Sequence, residues 1–445
     1  MKFLILIFLF LATVHVAQSE DLNTEAPLVT YDTLLAKLDK NPALEAVRQQ
    51  VIEQREAANG VGGLPDPMVM FGINNYPADG KGGFDRFAMT SKSIGLVQLI
   101  PNGGVRTASV TAKQELAGKA LVAVVLTRQQ LVAALNTALA GRERVACQQA
   151  LVEQDIKLLK QEAAYWNGRL QAGDSALDER SRVQAELAQA EARLATLQAE
   201  QTQFAEELKR LVGDVNEMDV PDVVALPWPN THTVYPVVLA ERDVRVARAN
   251  EEGAELAFGP NYQIGVTYAQ RENSGNFDGG DFASAQFGIS IPLWSRANQQ
   301  PKLRSAQAGV SRAQAMLADT RLQWEQQLAT QFARIKETQA TQHALHSKQK
   351  AIEMQIASLR GAYEADGRLD ILIAAKRSLL GLKLQQAELK ARYTQQASQY
   401  NAYFKNHTMP EIMQTDTPVF LQPELPDKPT TAQSPLQLLS TGDTL

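Results

Sequence analysis

Two segments of the chain, about 41 to 212 and about 235 to 405, pass through the same succession of elements at a nearly constant offset. Pro42-Ala43-Leu44-Glu45-Ala46 opens a helical stretch in the first, and Pro236-Val237-Val238-Leu239-Ala240 opens one in the second. Leu64-Pro65-Asp66-Pro67 marks a strand start against Phe258-Gly259-Pro260-Asn261. Gly95 sits in a second strand against Gly288, and Gly173 centres a long helical hairpin against Gly367. The four landmarks are 193 to 195 residues apart. A two-fold internal repeat therefore constrains the fold more than any single motif.

The strands come in pairs. Tyr262, Ile264, Val266 and Tyr268 alternate with Gln263, Gly265, Thr267 and Ala269, and Phe287, Ile289, Ile291 and Leu293 alternate with small or polar neighbours. Period-2 patterning over about 8 to 10 residues is the length of a tilted membrane strand. In the first half Val69, Phe71 and Ile73 alternate less cleanly, with Met68 and Met70 between them, and Ile94 and Leu96 follow in the next strand. Polar, glycine-rich loops join each pair, 78–90 and 271–281, and neither has the Lys-Ser/Thr pair of a phosphate cradle.

The helices are long. No proline falls between about Gly104 and Ala172, and at 1.5 Å per residue that stretch is on the order of 100 Å of helix. Beyond Gly173, Val183, Leu187, Ala190, Leu194, Leu197, Phe204, Leu208 and Leu211 keep a heptad spacing. Leu379, Leu382, Leu389, Tyr393, Tyr400 and Tyr403 do the same in the second half. Such stripes pack in coiled-coil fashion against partners of equal length.

Four strands cannot close a membrane barrel, since barrels begin at about eight. An open edge in lipid leaves backbone groups unpaired at several kcal/mol each. Either the strands lie outside a membrane, or several chains share one barrel: two chains give eight strands and three give twelve.

The N-terminus predicts export. Lys2 precedes an apolar run from Phe3 to Val16, and Ala17-Gln18-Ser19 supplies small residues for cleavage after Ser19. The run, about 14 residues, is short of the ~20 needed to span, and no other segment is expected to reach that length. No cysteine stands near the cleavage site, so N-terminal lipidation is excluded. The lone Cys147 is expected to be a small buried residue of a helix. The formal charge of −5 comes with no basic stripe, which excludes a nucleic-acid partner. Of the histidines, only His343 and His346 are close in sequence, and no carboxylate or thiol completes a metal set; they are expected to face solvent. No nucleophile motif suggests an enzyme.

The repeat, the helix–Leu64-Pro65-Asp66-Pro67–strand junction and the Arg169-x-x-x-Gly173 at the first hairpin tip resemble the TolC-like outer-membrane efflux proteins over about residues 30 to 405. Leu64 to Gly72 is most similar to the heavy-metal branch. The resemblance implies a mainly α fold with membrane β-strands. Long helical hairpins would form a trimeric α-barrel, and four strands per chain (about 67–77, 91–101, 261–271 and 283–293) would contribute to a shared twelve-stranded barrel. It also implies a homotrimer in outer-membrane lipid, a periplasmic adaptor (membrane fusion) protein and an inner-membrane pump as partners, and no cofactor. The segments expected are a signal peptide 1–19, a first repeat 20–212 with strand pair 67–101, a linker 213–234, a second repeat 235–405 with strand pair 261–293, and a proline-rich tail 406–445 without regular structure.

At the hairpin tips, Arg169, Gly173, Asp174 and Ser175 in the first and Gly367, Arg368 and Leu369 in the second are the residues expected to meet the adaptor. The glycines reverse the chain at left-handed backbone angles. Asp366 and Asp370 are candidates for a periplasmic gate, where three-fold assembly would set them in rings, and Asp174 and Asp370 are expected to cap helices. Drug or protein export is the alternative within this architecture. A soluble adaptor or rod is the alternative outside it, disfavoured because an adaptor carries a single hairpin.

Overall fold

The computed structural model describes residues 30–405 apart from 79, 80, 82, 216–219, 230–232, 274, 276, 277, 367 and 368, with the side chains of 362–366 also left aside. The expected signal peptide, the tail 406–445, Gly367 and Arg368 lie outside the described residues. The elements run α1 (Tyr31–Leu38), α2 (Pro42–Gly62), β1 (Met68–Asn74), β2 (Ser91–Ile100), α3 (Gly103–Gln171), α4 (Leu177–Val212), α5 (Tyr235–Leu256), β3 (Tyr262–Arg271), β4 (Phe282–Ile289), α6 (Gln299–Asp366) and α7 (Leu369–Asn401). Among the described residues the chain is thus mostly helical with one four-stranded sheet, and α2 to α4 is followed by α5 to α7 in the same order.

Local chemistry sets the element ends. Thr30 caps α1 through the Thr33 amide. Asn41 accepts from the Ala43 amide at 3.0 Å in front of Pro42, so α2 starts on a capping side chain with proline in its first turn. Asn102 does the same for α3, accepting from the Gly104 amide at 2.9 Å. α4 stops at Gly213, whose φ of 81° suits glycine.

The chain divides into two compact units. Among the described residues, one comprises 30–50, 127–225 and 333–399; the other comprises 51–126, 226–332 and 400–405. Each sequence repeat contributes to both units because α3 and α6 run through the two.

In the first unit the α4 heptad is a packed seam. Val183, Ala190 and Leu197 are buried with Val145, Val152, Ile156 and Leu159 of α3 and with Leu380 and Leu384 of α7. Leu187, Leu194 and Phe204 pack against them. Leu208 and Leu211 continue the stripe into a second cluster with Leu135, Ala138 and Leu139 of α3 and with Leu34 and Leu38 of α1. α7 buries more than its expected stripe, since Leu372, Ile373, Leu380 and Leu384 are covered besides Leu382. Its extra face meets α3 and α4. Close approach of α3 and α4 depends on Gly141, where a Cβ would stand 2.4 Å from the Phe204 ring.

The second unit contains the sheet and the helix segments beside it. Small residues of α3, Ala108, Ala112, Ala117 and Ala120, are buried there with Val244 and Ala249 of α5. Glu115 joins α3 to Arg242 and Arg245 of α5 at 2.8 and 3.0 Å, and Lys119 meets Asp243 at 2.6 Å. Aromatic rings close the core at the end of α7: Trp324 with Tyr403 at 4.5 Å, and Tyr400 with Phe332 and Phe404 at 5.8 and 4.8 Å.

Four expectations are corrected. β1 ends at Asn74 rather than 77, because Asn75 turns to φ 53°, a left-handed angle that breaks a strand and that asparagine tolerates. β4 spans 282–289 rather than 283–293, and Pro292, without an N–H, cannot extend its ladder. Cys147 is exposed, since α3 buries Val145, Gln148 and Val152 on another face. α3 also contains an 18-residue window apolar enough by length and composition to cross a membrane, which the sequence reading missed. Its apolarity comes from alanine, valine and leucine, several of which pack against α1 and α4.

Candidate functional site

The sheet is antiparallel in the order β1-β2-β3-β4, and its register sorts the side chains. Val69 pairs Leu96, which pairs Val266, which pairs Ala285; Phe71 pairs Ile94, then Tyr268, then Ala283. Ile264 and Phe287 form another rung with Gln98, and Tyr262 and Ile289 another with Ile100. Residues paired across an antiparallel ladder project to the same side. One face is therefore almost wholly apolar. It is also uncovered in the chain: Phe71 is 79% exposed and Phe287 69%. Tyr262 and Tyr268 flank Ile264 and Val266 on this face of β3.

The opposite face is polar and crowded with small residues. Its rungs include Gly72 with Ser93 and Ala269, Met70 with Gly95 and Thr267, and Asn74 with Ser91 and Arg271. A Cβ on Gly95 would stand 2.9 Å from the Thr267 hydroxyl, and one on Gly72 would stand 2.9 Å from that of Ser93. Side chains thus converge on this face and splay on the other, as on a sheet curved toward its polar side. Among the described residues, β1 and β4 each pair on one side only, so both outer edges are open. The sheet joins the helices through Asn102, whose amide donates to Asn261 Oδ1 at 2.9 Å and whose side chain donates to the Leu256 carbonyl at 2.7 Å.

The first hairpin tip turns at Gly173, φ 93°. Its amide donates to the Leu170 carbonyl at 3.1 Å, and the Asp174 amide donates to the Arg169 carbonyl at 3.1 Å. The Arg169 guanidinium grips the Asp174 carboxylate and donates to the Tyr165 phenol oxygen at 3.2 Å. Tyr165 and Asp174 together raise the guanidinium above its ordinary range. Asp174 therefore clamps the turn and does not cap α4, whose N-cap is Ala176 with no side-chain hydrogen bond. Ser175 and Leu177 are exposed beside it. In the second tip α6 ends at Asp366, and α7 begins at Leu369 with Asp370 in its first turn.

Behind the first tip lies a charged network that sequence reasoning missed. Arg377 of α7 donates to Asp155 of α3 at 2.7 Å and also to Glu186 of α4. Arg182 binds Glu179, Glu186 and Glu162 at 2.9, 2.8 and 3.0 Å. The Glu162 side chain is only 5% exposed. Burial pushes Glu186 up, but Arg377 and Arg182 outweigh it and hold the carboxyl below its ordinary range. The Arg182–Glu179 and Arg182–Glu186 spacings are readable on a helix. The Arg377 contacts, 222 and 191 residues distant in sequence, leave no local signal. Further along, Arg144 of α3 meets Glu200 of α4 and Glu388 of α7 at 2.6 and 3.1 Å, beside an open polar groove of about 430 Å³. His343 and His346 are exposed on α6 as expected, and among the described residues no group of three histidine, cysteine or acidic side chains is placed to hold a metal ion.

No protein-family model and no curated protein sequence matches the chain. Solved structures do. The CusC transmembrane channel aligns with a TM-score of 0.68 at 16% identity over 83% of this chain and 91% of that one. The outer membrane protein VceC of Vibrio cholerae gives 0.66 at 16% identity over 83% and 94%. The open MtrE outer membrane channel of Neisseria gonorrhoeae gives 0.65 at 18% over 83% and 88%. The fold expected from the TolC-like resemblance is the fold observed.

Proposed function

We propose that three copies of this chain form one outer-membrane channel of a tripartite efflux system, which conducts its cargo passively. One observation carries the reading: the sheet has one exposed apolar face, one polar face and two open edges. Water is a poor solvent for that apolar face, and lipid cannot satisfy those edges. Pairing β4 of one copy with β1 of the next removes every edge and leaves the polar faces inward. Three copies give twelve strands, the number implied by the family resemblance. The chain's part is a conduit with no reaction to catalyse, and the signal peptide 1–19 supports delivery to the outer membrane without N-terminal lipidation.

On this reading the hairpin tips stand in the periplasm. Arg169, Gly173, Asp174 and Ser175, with Gly367, Arg368 and Leu369, meet an adaptor that couples the channel to an inner-membrane pump, and Asp366 and Asp370 belong to the gate. The Leu64-Pro65-Asp66-Pro67 strand start supports heavy-metal cations as cargo. The test is membrane fractionation followed by electrophoresis without boiling. Recovery in the outer membrane as a heat-dissociable trimer supports the channel; recovery as a soluble monomer ends it.

A further inference from the structure

The apolar face of the sheet continues past the end of β4. Ile289 shares its rung with Tyr262 and Ile100, and the Ser290 amide still reaches the Asn261 carbonyl at 2.9 Å. Two residues beyond Ile289, Ile291 follows the same row. The chain then folds at Pro292, where the Leu293 amide donates to the Ile291 carbonyl at 2.9 Å. Ile291, Leu293 and Trp294 are left 65, 72 and 76% exposed. At the same end the Tyr262 ring lies 6.0 Å from that of Phe287. Water is a poor solvent for such a patch, and tryptophan and tyrosine are the residues that settle at headgroup level in a membrane.

A run of cations follows directly. From Phe282 to Ala318 the chain has Arg296, Lys302, Arg304 and Arg312 and no carboxylate, although its net charge is −5. All four are exposed, and among the described residues none of them has a side-chain hydrogen bond or an ion pair. Glu251, Glu252 and Glu255, in the last turns of α5, are paired with none of them. A basic side chain beside an anionic membrane gains about fivefold in affinity, within a Debye length of about 8 Å at 0.15 M salt. At 1.5 Å per residue, Arg304 lies about 8 Å along α6 from its start and Arg312 about 20 Å. Arg296, Lys302 and Arg304 are therefore the cations within reach of a surface at Trp294.

We propose that the junction between β4 and α6 is a lipid anchor. Ile291, Leu293 and Trp294 enter the membrane at its periplasmic surface, and Arg296, Lys302 and Arg304 bind the phosphate of an anionic phospholipid there. This rests on the trimeric channel reading, in which the apolar face is outermost and α6 descends into the periplasm. Continuity with that face selects lipid over a protein partner, and the acid-free run selects an anionic headgroup over a zwitterionic one. The contact lies outside the wall and places no demand on the charge of the cargo.

The test is Trp294 fluorescence in full-length trimers reconstituted in phosphatidylcholine, with brominated phosphatidylglycerol or brominated phosphatidylcholine titrated in. The signal of the W294F protein is subtracted. The brominated phosphatidylglycerol is expected to quench at a several-fold lower mole fraction at about 0.01 M salt, and about 1 M salt is expected to remove the difference. R296Q/K302Q/R304Q is expected to lose the preference while both lipids still quench, and R296K/R304K to keep it. Trimers whose Trp294 is quenched equally by the two lipids, or by neither, overturn the anchor, and so does an undiminished preference in the triple variant. W294S trimers that fall apart in detergent free of phospholipid would assign the patch to the neighbouring copy, which also overturns it. Protein that stays soluble as a monomer overturns the channel reading and the anchor together.

Discussion

Arg377 on α7 and Asp155 on α3 meet through Nε and Oδ1 at 2.7 Å, and this pair, with Glu186 on α4, ties three helices together behind the first hairpin tip. The Arg377 and Asp155 side chains are about a quarter exposed, so the pair is more than a surface bridge. Arg377→Met leaves two partly buried carboxylates facing each other without their cation. The expected cost is about 1–3 kcal/mol, read as a lower unfolding midpoint and faster trypsin cleavage in α7. A variant as resistant as the wild type would falsify this role.

The same network gives the protein an acid limit. Glu186 is held below its ordinary value of 4.5 because Arg377 and Arg182 outweigh its burial. A carboxylate with a depressed folded-state pKa stabilises the fold above its unfolded value, and that stability fades as pH falls through the lower folded one. The region around Glu186 is therefore expected to loosen below about pH 4.5. Glu186→Gln should be weaker at neutral pH and lack that part of the acid dependence. Unfolding midpoints at pH 4 and pH 7 for both proteins decide it; parallel acid curves would refute it.

How much of this was readable from residue order follows from the range of each interaction. The α4 seam announces itself every three or four residues, so Val183 to Leu211 were identifiable before their partners were. The alternation of Tyr262 to Tyr268 announces the strand, and the register then divides its two faces. Helix α1 escaped notice because it is only eight residues long, although Tyr31, Leu34, Leu35 and Leu38 form a helical stripe. Asp174 reads as a cap from its position, and only the fold reveals that Arg169 claims it. Arg377 carries no local sign of its role, since its meaning lies in residues about two hundred positions away.

Gly141 is expected to be intolerant of even one methyl group. A Cβ there would stand 2.4 Å from the Phe204 ring, which packs against the α3–α4 seam with the Arg144 guanidinium 5.9 Å from its centre. Moving the ring or the helix costs about 1–3 kcal/mol. Gly141→Ala should lower the unfolding midpoint, and adding Phe204→Leu should recover part of the loss. A double variant no more stable than Gly141→Ala alone would mean that the ring is not the obstacle.

Tyr400 makes the opposite prediction. Its ring is fully buried among Phe332 and Phe404, and its hydroxyl has no hydrogen-bond partner among the described residues. Burial pushes the phenol up to about 12. Stability from the neutral phenol is complete below its ordinary value of 10.0 and is lost as pH rises through about 12. Tyr400→Phe removes an unsatisfied polar group, so the variant is expected to be as stable as the wild type or more stable, by up to about 1–3 kcal/mol. It should also lose part of the alkaline sensitivity. A clearly lower midpoint at neutral pH would show that the hydroxyl has a partner.

The two faces of β3 give the sharpest test of where the sheet lies. Val266 is on the apolar face and Thr267, its neighbour, is on the polar one. In lipid, an arginine on the outward face near mid-membrane costs about 2–4 kcal/mol, while one facing a water-filled lumen is tolerated. Val266→Arg should therefore deplete the outer-membrane trimer, and Thr267→Arg should leave assembly intact and alter conductance. In water the two substitutions would differ little, because both would leave the charge hydrated. Equal trimer yields for the pair would place the sheet outside the membrane; a deficit confined to Val266→Arg places its apolar face against lipid.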